Sequence, residues 1–474
     1  MIKNCKYPSR CNNSIIDYNM VMKKTFITFL IFVLSGLCGA NAYQIVYPKK
    51  LNVTINSPST FFIGHTDDGE ILKINDEIIK TNDLGYFAHT VELKSGKNTF
   101  EVIGEQKKET YTILRTAATQ ALLKPEFIAY DSIRYGVVKS DNTPLRSTPI
   151  DAGINRLSHL QKGVNLMIAG EYKNFYKVKL TDQEYAWINK ISVIFPEDID
   201  TDLSTVFDYR KYEDNEFDIY EFYLMKKVPY KIEEFPLKLT IFNLKNSRGL
   251  FTIQPTLCHK PVGFNGEYEG DKFVLKVRKF PKISSIKPLE KVKIVIDPGH
   301  GGSEPGAIGC SGIAEKDIVM QISKYLQREL KHMGATVILT REDDSYLDLY
   351  DRVKFTNDND AIIFISIHAN ATPDSWNPNE HSGTSVYYYY EQAKPLAESI
   401  LLSTVEKAET NNDGIYQRSF AVVRNTKALS VLVETAYMIN PDDIAKLEQT
   451  YFQKNIAKGI SQGIVNFFKT SVLP

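Results

Sequence analysis

Cysteine is scarce in this chain and badly placed for cross-linking. Five occur in 474 residues, and Cys5, Cys11 and Cys38 fall in the first 42. Cys258 and Cys310 remain, in different expected domains, which excludes a disulfide framework and reads as two free thiols. Charge of one sign is also missing, since Lys+Arg and Asp+Glu number 57 each. Residues 1–42 hold five basic residues and one acidic, so without them the balance moves from 0 to −4. A mildly acidic chain has no basic footprint for nucleic acid. The apolar run at 26–37 is too short to span a bilayer comfortably. No internal repeat is evident.

That apolar run fits a different role. Lys23-Lys24 form a positive start, 26–37 an apolar stretch, and Ala40-Asn41-Ala42 a small-x-small cleavage site. Residues 1–42 are expected to be leader and signal peptide, with Met20 or Met22 as the effective start. Lipidation at Cys38 is disfavoured by bulky Leu37 before it. Export to the periplasm or the cell surface follows, with no transmembrane segment after signal removal.

At this length one core is rarely enough, so several domains are expected. Residues 43–118 alternate short apolar strands with Gly and Asn-Asp turns, the spacing of a small β-sandwich, and loosely resemble bacterial immunoglobulin-like modules. Residues 130–196 carry Pro144-Leu145-Arg146, Gly163-Val164-Asn165-Leu166, Phe175-Tyr176-Lys177-Val178 and Ala186-Trp187-Ile188. That order resembles a bacterial SH3-like barrel, which implies wall binding or spacing. Trp187 and Tyr176 are more economically core than ligand platforms. Residues 200–285 read as a third β module, ending in a Pro- and Lys-containing linker at 280–289.

Residues 290–470 read differently. Three β-branched apolar runs each stop on a ligand or acid–base residue: 292–296 before Asp297-Pro298-Gly299-His300, 361–367 before His368, and 429–433 before Glu434. Such runs are strands of a parallel sheet buried on both faces, and ligands gather at the carboxyl ends of those strands. Glu315 opens an amphipathic helix expected over 314–333, where the dipole favours its ionised form. Further helices are expected over 346–357, 391–409 and 442–469, and a strand over 384–390. The fold class is thus multidomain: an α/β catalytic domain, mostly parallel twisted sheet with helices on both faces, after small all-β domains. Two His and one Glu are a known ligand set for a zinc with one open position, which leaves the other Glu as a candidate general base.

The ordered set Ile296-Asp297-Pro298-Gly299-His300-Gly301-Gly302, Pro305-Gly306-Ala307, Glu315-Lys316, Leu339-Thr340-Arg341, Ser366-Ile367-His368-Ala369-Asn370 and Leu432-Val433-Glu434 resembles the zinc-dependent N-acetylmuramoyl-L-alanine amidases. The resemblance implies one zinc on His300, Glu315 and His368, with Glu434 as the catalytic carboxylate. It implies peptidoglycan as partner and the muramic acid–L-alanine amide as the bond cut, in wall remodelling or daughter-cell separation. Arg352 matches a helical arginine of the family and is expected to be an internal ion-pair partner. Asn370, Arg418 and Arg424 are candidate substrate contacts. His65, His89, His159, His259, His332 and His381 have no partner at ligand spacing and read as surface residues. Some relatives carry an occluding helix after the second histidine; the short 369–383 segment predicts none here. Tyr437-Met438-Ile439-Asn440 departs from the family's usual sequence but keeps the asparagine. Two other readings stay open: a catalytically silent wall-binding scaffold, and a zinc peptidase cutting within the stem peptide.

Overall fold

A computed structural model of the chain describes residues 43–471, apart from 68–69, 117–125, 256, 258–260, 271, 282–283 and 285. The leader and signal expectations for 1–42, with Cys38, and the readings of Cys258 and His259 lie outside the described residues. Among the described residues no helix is long and apolar enough to cross a membrane.

The catalytic domain is built on six strands: β1 (Lys293–Pro298), β2 (Thr336–Leu339), β3 (Ile363–Asn370), β4 (Thr384–Tyr388), β5 (Asn412–Gln417) and β6 (Leu429–Tyr437). Their order in the sheet is β2-β1-β3-β6-β4-β5. Pairings are parallel except β4 on β6, so the sheet is mixed. The helices are α1 (Glu315–His332), α2 (Leu349–Asp358), α3 (Lys394–Ala408), α4 (Pro441–Leu447) and α5 (Thr450–Ser471). Ile318, Ile322, Leu326 and Leu330 of α1 pack with Ile400 of α3 and Ile460 and Ile464 of α5 on one sheet face. Phe355 of α2 and Val422-Val423 cover the other, over Val295, Phe364 and Leu432.

Local chemistry sets these boundaries. Helix α2 starts where Asp348 accepts from Tyr350 N at 2.8 Å, the usual N-cap bond. Helix α1 ends before Gly334, whose φ of +98° suits glycine. The helix expected over 442–469 is two helices. Gln453 Nε2 donates to Leu447 O at 2.8 Å, and the break lets Ile444 and Leu447 bury beside β6 while α5 turns onto α1 and α3. Strand β5 was not expected, because its Asn-Asp-Gly start is polar and sits at the sheet edge.

The first β module is an antiparallel three-stranded sheet (Tyr43–Tyr47, Ser59–Thr66, Tyr86–Glu92) against a five-stranded one, in which Asn52–Ile55 runs parallel to Lys108–Arg115. It is not a tethered bead. Phe61, Ile63 and Ala88 join the catalytic domain's hydrophobic core, and burial of each large side chain contributes about 1.5–3 kcal/mol. Tyr86 Oη donates to Glu448 at 2.7 Å, and Asn82 Nδ2 to Pro441 O at 2.9 Å. His65, expected at the surface, lies in this interface with Nδ1 3.0 Å from Cys310 O. Cys310 is free, and burial pushes its thiol up to about 12.

The next two modules are a seven-stranded sheet spanning residues 128–194 and a pair of sheets of four and three strands spanning 206–278. One continuous core joins them, with Leu166, Ile168 and Val178 packed alongside Tyr220, Phe222, Leu239 and Phe273. Trp187 is half-buried, edge-on to Phe127 and Tyr172. The pair docks on the catalytic domain. Tyr389 Oη donates to Gly153 O at 2.8 Å, Phe264 N to Thr426 O at 2.7 Å, and Arg278 pairs with Asp360. Gly263 has φ +137°, and a Cβ there would collide with Lys427 O, so only glycine permits this approach.

Glu234 crosses the same interface and accepts from Gln392 N at 3.0 Å. Burial pushes its carboxyl up to about 7 from 4.5. The folded chain then holds a proton that the unfolded chain releases. The resulting penalty is absent below pH 4.5, grows as pH rises, and is complete above 7. At about 1.4 kcal/mol per pH unit it reaches about 3 kcal/mol. Glu234→Gln is therefore expected to raise Tm at pH 8 and leave it unchanged at pH 4.5; equal shifts at both would contradict this.

Candidate metal centre and active site

Strand register assembles the site. Pro298 of β1 lies beside Ile367 of β3, and His368 beside Glu434 of β6. The chain ends that follow these strands therefore converge on one edge of the sheet. His300 Nε2 is 3.1 Å from Glu315 Oε2, and His368 Nδ1 is 2.9 Å from Glu315 Oε1. One ligand atom from each of the three residues lies within 4.8 Å of the others. Glu315 is buried, and Ala307 N and Ala369 N also donate to it, at 2.9 and 3.0 Å. The hydrogen bonds from both histidines hold its carboxyl well below the usual range against the opposing effect of burial.

The backbone is shaped to let these groups meet. A Cβ at Gly306 would collide with Glu315 Oε2 and stand 2.8 Å from His300 Cδ2; one at Gly299 would strike the His368 ring. His300 itself has φ +57°, a left-handed conformation that costs energy for a residue with a Cβ. Arg352 holds it there. Its Nη2 donates to His300 O at 2.9 Å, and its Nη1 donates to Asp297 Oδ1 at 2.7 Å and Pro298 O at 2.9 Å. Arg341 adds bonds to Pro298 O at 3.0 Å and Gly299 O at 2.7 Å. Asp297 is fully buried and also accepts from Thr340 at 2.6 Å and Ser366 at 2.7 Å.

Glu434 is the odd group out. Its Oε2 is enclosed and has no hydrogen-bond partner. Burial, then the charges of Glu315 and Asp413, push its carboxyl well above the usual range. A buried carboxylate without a partner costs free energy unless something positive is nearby. The nearby donors, two imidazoles and the Glu315 carboxylate, are of the type that holds zinc. The residues thus fit a divalent cation on chemistry and on proximity.

Among the other candidates, Asn370 stands at the end of β3, its Oδ1 accepting from Ala371 N at 2.9 Å and its carbonyl from Met438 N at 2.8 Å. Arg418 is exposed over the Tyr416 ring, with its backbone N on Tyr388 O, at the end of β4 remote from Glu434. Arg424 lies on the docking face of the β modules. Neither arginine is brought to the His-Glu-His group. Asp413 was not singled out from sequence, being one acid in a polar edge strand; here it accepts from Tyr437 Oη at 2.9 Å and raises Glu434. Asn440 caps α4, accepting from Asp442 N and Asp443 N at 2.9 and 3.1 Å.

Between His368 and β4 the only helical element is the short turn Pro378–Glu380, so no α-helix occupies that segment. The first β module holds it instead: Tyr47 Oη and Thr60 Oγ1 donate to Asp374 at 2.6 and 3.2 Å, and Asn379 Nδ2 to Ala88 O at 2.9 Å.

Comparison with known proteins agrees with this geometry. Residues 294–466 match the family model described as N-acetylmuramoyl-L-alanine amidase. YqiI of Bacillus subtilis, an uncharacterized protein, is 33% identical over 192 residues, 40% of this chain and 90% of YqiI. The chain belongs to the N-acetylmuramoyl-L-alanine amidase family. The amidase LytC of Bacillus subtilis is 37% identical over 186 residues, which are 38% of this chain and 36% of LytC. The chain thus spans about a third of LytC's length. The solved amidase AmiC2 of Nostoc punctiforme shares 34% identity, over 38% of this chain and 99% of that one, with a TM-score of 0.36. All of these matches to the amidase family are confined to a part of the chain no longer than its C-terminal domain.

Proposed function

We propose that the protein is a zinc-dependent peptidoglycan hydrolase that cuts the amide between N-acetylmuramic acid and the first L-alanine of the stem peptide. The observation that carries this is the convergence of His300, Glu315 and His368 within 4.8 Å, beside the half-buried Glu434 with one enclosed, unpartnered oxygen, in a domain of the amidase family. His300, Glu315 and His368 would hold the zinc. Bound there, zinc supplies Lewis acidity at the scissile carbonyl and lowers the pKa of water from 15.7 to about 7.

The remaining work falls to this chain's own groups. The Glu434 carboxylate accepts a proton from the attacking water as oxygen closes on the amide carbon. Its raised proton affinity then suits it to donate that proton to the departing alanine nitrogen. Ala307 N and Ala369 N hold the Glu315 carboxylate in place beside the two imidazoles. Arg352 and Arg341 fix the Pro298–His300 backbone, so the donors are in place before substrate arrives. We assign Asn370, at the end of β3, as a substrate contact. We assign residues 43–118, 130–196 and 200–285 as immunoglobulin-like, SH3-like and further β modules that set the catalytic domain on the wall of an exporting cell. A scaffold that had lost catalysis would have no reason to keep a Glu434 oxygen enclosed and unpartnered beside an intact ligand set.

The chain purified with its metal is expected to contain about one zinc, to lose activity on sacculi with chelator, and to regain it with added zinc. His300→Ala should lose both metal and activity. Full activity in a chain stripped of metal would contradict the reading.

A further inference from the structure

A cavity of about 920 Å³ lies between the docked β modules and the catalytic domain, far larger than a packing defect and within the range of ligand sites. Arg156 and His159 line it from the SH3-like side, and Tyr389, Tyr390 and Arg424 from the catalytic side. Its charges are unevenly matched. Of the six lining carboxylates, Glu233, Glu267 and Asp358 are paired with lysines (Lys238 and Lys231, Lys427, and Lys354), and the others are Asp141, Glu234 and Glu391. The two arginines have no carboxylate within ion-pair distance among the described residues. Arg156 Nε is buried without a partner, and its Nη1 reaches only His159 Nε2, at 3.0 Å. Arg424 is held by Ser419 O and by Ser419 Oγ at 3.0 Å, both neutral.

His159 reports the arginines locally. Burial, then Arg156, Arg424 and Arg146, push it down to about 4, so at neutral pH it is an uncharged acceptor for Arg156. Two partly buried guanidiniums that lack a carboxylate partner and face a solvent-filled space are suited to bind a planar oxyanion. The histidine expected at the surface therefore marks a site.

We propose that this cavity binds a peptide bearing free carboxylates, the stem peptide of peptidoglycan, with Arg156 and Arg424 as its anion-binding groups. The choice of ligand rests on the amidase reading; the site itself does not. A polyphosphate or teichoic-type polymer is disfavoured because the lining as a whole carries more carboxylates than cations, which opposes a run of repeated phosphates. A peptide carrying carboxylates and an amine meets both signs. The tyrosine rings suit its short aliphatic side chains. The cavity reaches α2 at Tyr350, two residues before the arginine that holds His300, so a peptide seated there lies beside the catalytic domain it feeds.

The test titrates L-Ala-γ-D-Glu-L-Lys into the chelator-treated chain from residue 43 by calorimetry, so that neither metal nor cleavage contributes. Binding is expected, weakened at least tenfold by Arg156→Gln/Arg424→Gln and by amidating the peptide's carboxylates, and unchanged by His300→Ala. If the double variant melts early, Arg424→Gln alone carries the comparison. No binding, binding indifferent to both arginines, or preferential binding of a glycerol-phosphate polymer would each overturn the proposal. Cleavage of peptidoglycan is scored separately. Cleavage without cavity binding sinks this inference alone; cavity binding without cleavage sinks the amidase reading and leaves the site standing.

Discussion

Glu434→Gln is expected to cut turnover by roughly 10²–10⁴-fold, the usual share of a positioned acid–base group, while leaving the fold and the zinc content intact. The side chain sits at the register position beside His368 but is not within the His-Glu-His contact group. Its loss should therefore not release metal. Stability should move the other way. Burial and the charges of Glu315 and Asp413 disfavour ionised Glu434, so a neutral amide relieves a cost that the acid bears above its unfolded pKa. Tm of the metal-free variant at pH 8 is expected to equal or exceed that of the parent. The decisive pattern is activity lost with stability kept. A variant that retained a tenth of the parent rate, or that melted well below it, would place Glu434 in a structural role.

Arg352→Leu carries the largest expected loss of stability. The guanidinium is 3% exposed and its partner Asp297 is 0% exposed. Removing one member of a buried ion pair typically costs about 3–5 kcal/mol, because the other charge is left uncompensated. Thr340 and Ser366 still donate to Asp297, which places the expectation near the lower end, at about 3 kcal/mol. For a domain of this size that corresponds to a fall in Tm of roughly 6–12 °C. The change also frees the carbonyl of His300, whose left-handed backbone then has no guanidinium to hold it. Zinc affinity should drop along with stability, although Arg352 touches no ligand atom. Asp297→Asn combined with Arg352→Leu should recover part of the stability but not the zinc affinity. A loss in the double variant equal to the sum of the single losses would show that the pair is not coupled.

What the sequence made legible, and what it hid, divides along physical lines. The runs ending at Asp297, His368 and Glu434 are apolar because their strands are buried on both faces, so the elements and the residues at their ends could be read directly. Helix α1 announced itself through one apolar stripe and a glycine stop. Strand β5 did not, since an edge strand with one wet face carries little apolar signal. The break between α4 and α5 depends on which partners each half packs against, and no residue at 448–449 is a helix breaker. Arg418 and Arg424 could be picked out as cations near the last strand, but their direction is set by a loop. The structure turns Arg424 toward the docked modules and Arg418 to solvent. His159 looked unremarkable alone; its significance comes from Arg156 and Arg146, which strand pairing within its own module sets beside it, and from Arg424, 265 residues away, which only the docking brings there. The shared core of the second and third β modules was hidden for the same reason.

The most direct test of the account is the identity of the bond cut. The chain from residue 43 would be incubated with purified peptidoglycan and the released ends read by mass spectrometry. The account predicts intact stem peptides with a free L-alanine amine, released at least about a hundredfold more slowly by Glu434→Gln. Fragments cut within the stem peptide, or unchanged release by that variant, would contradict it.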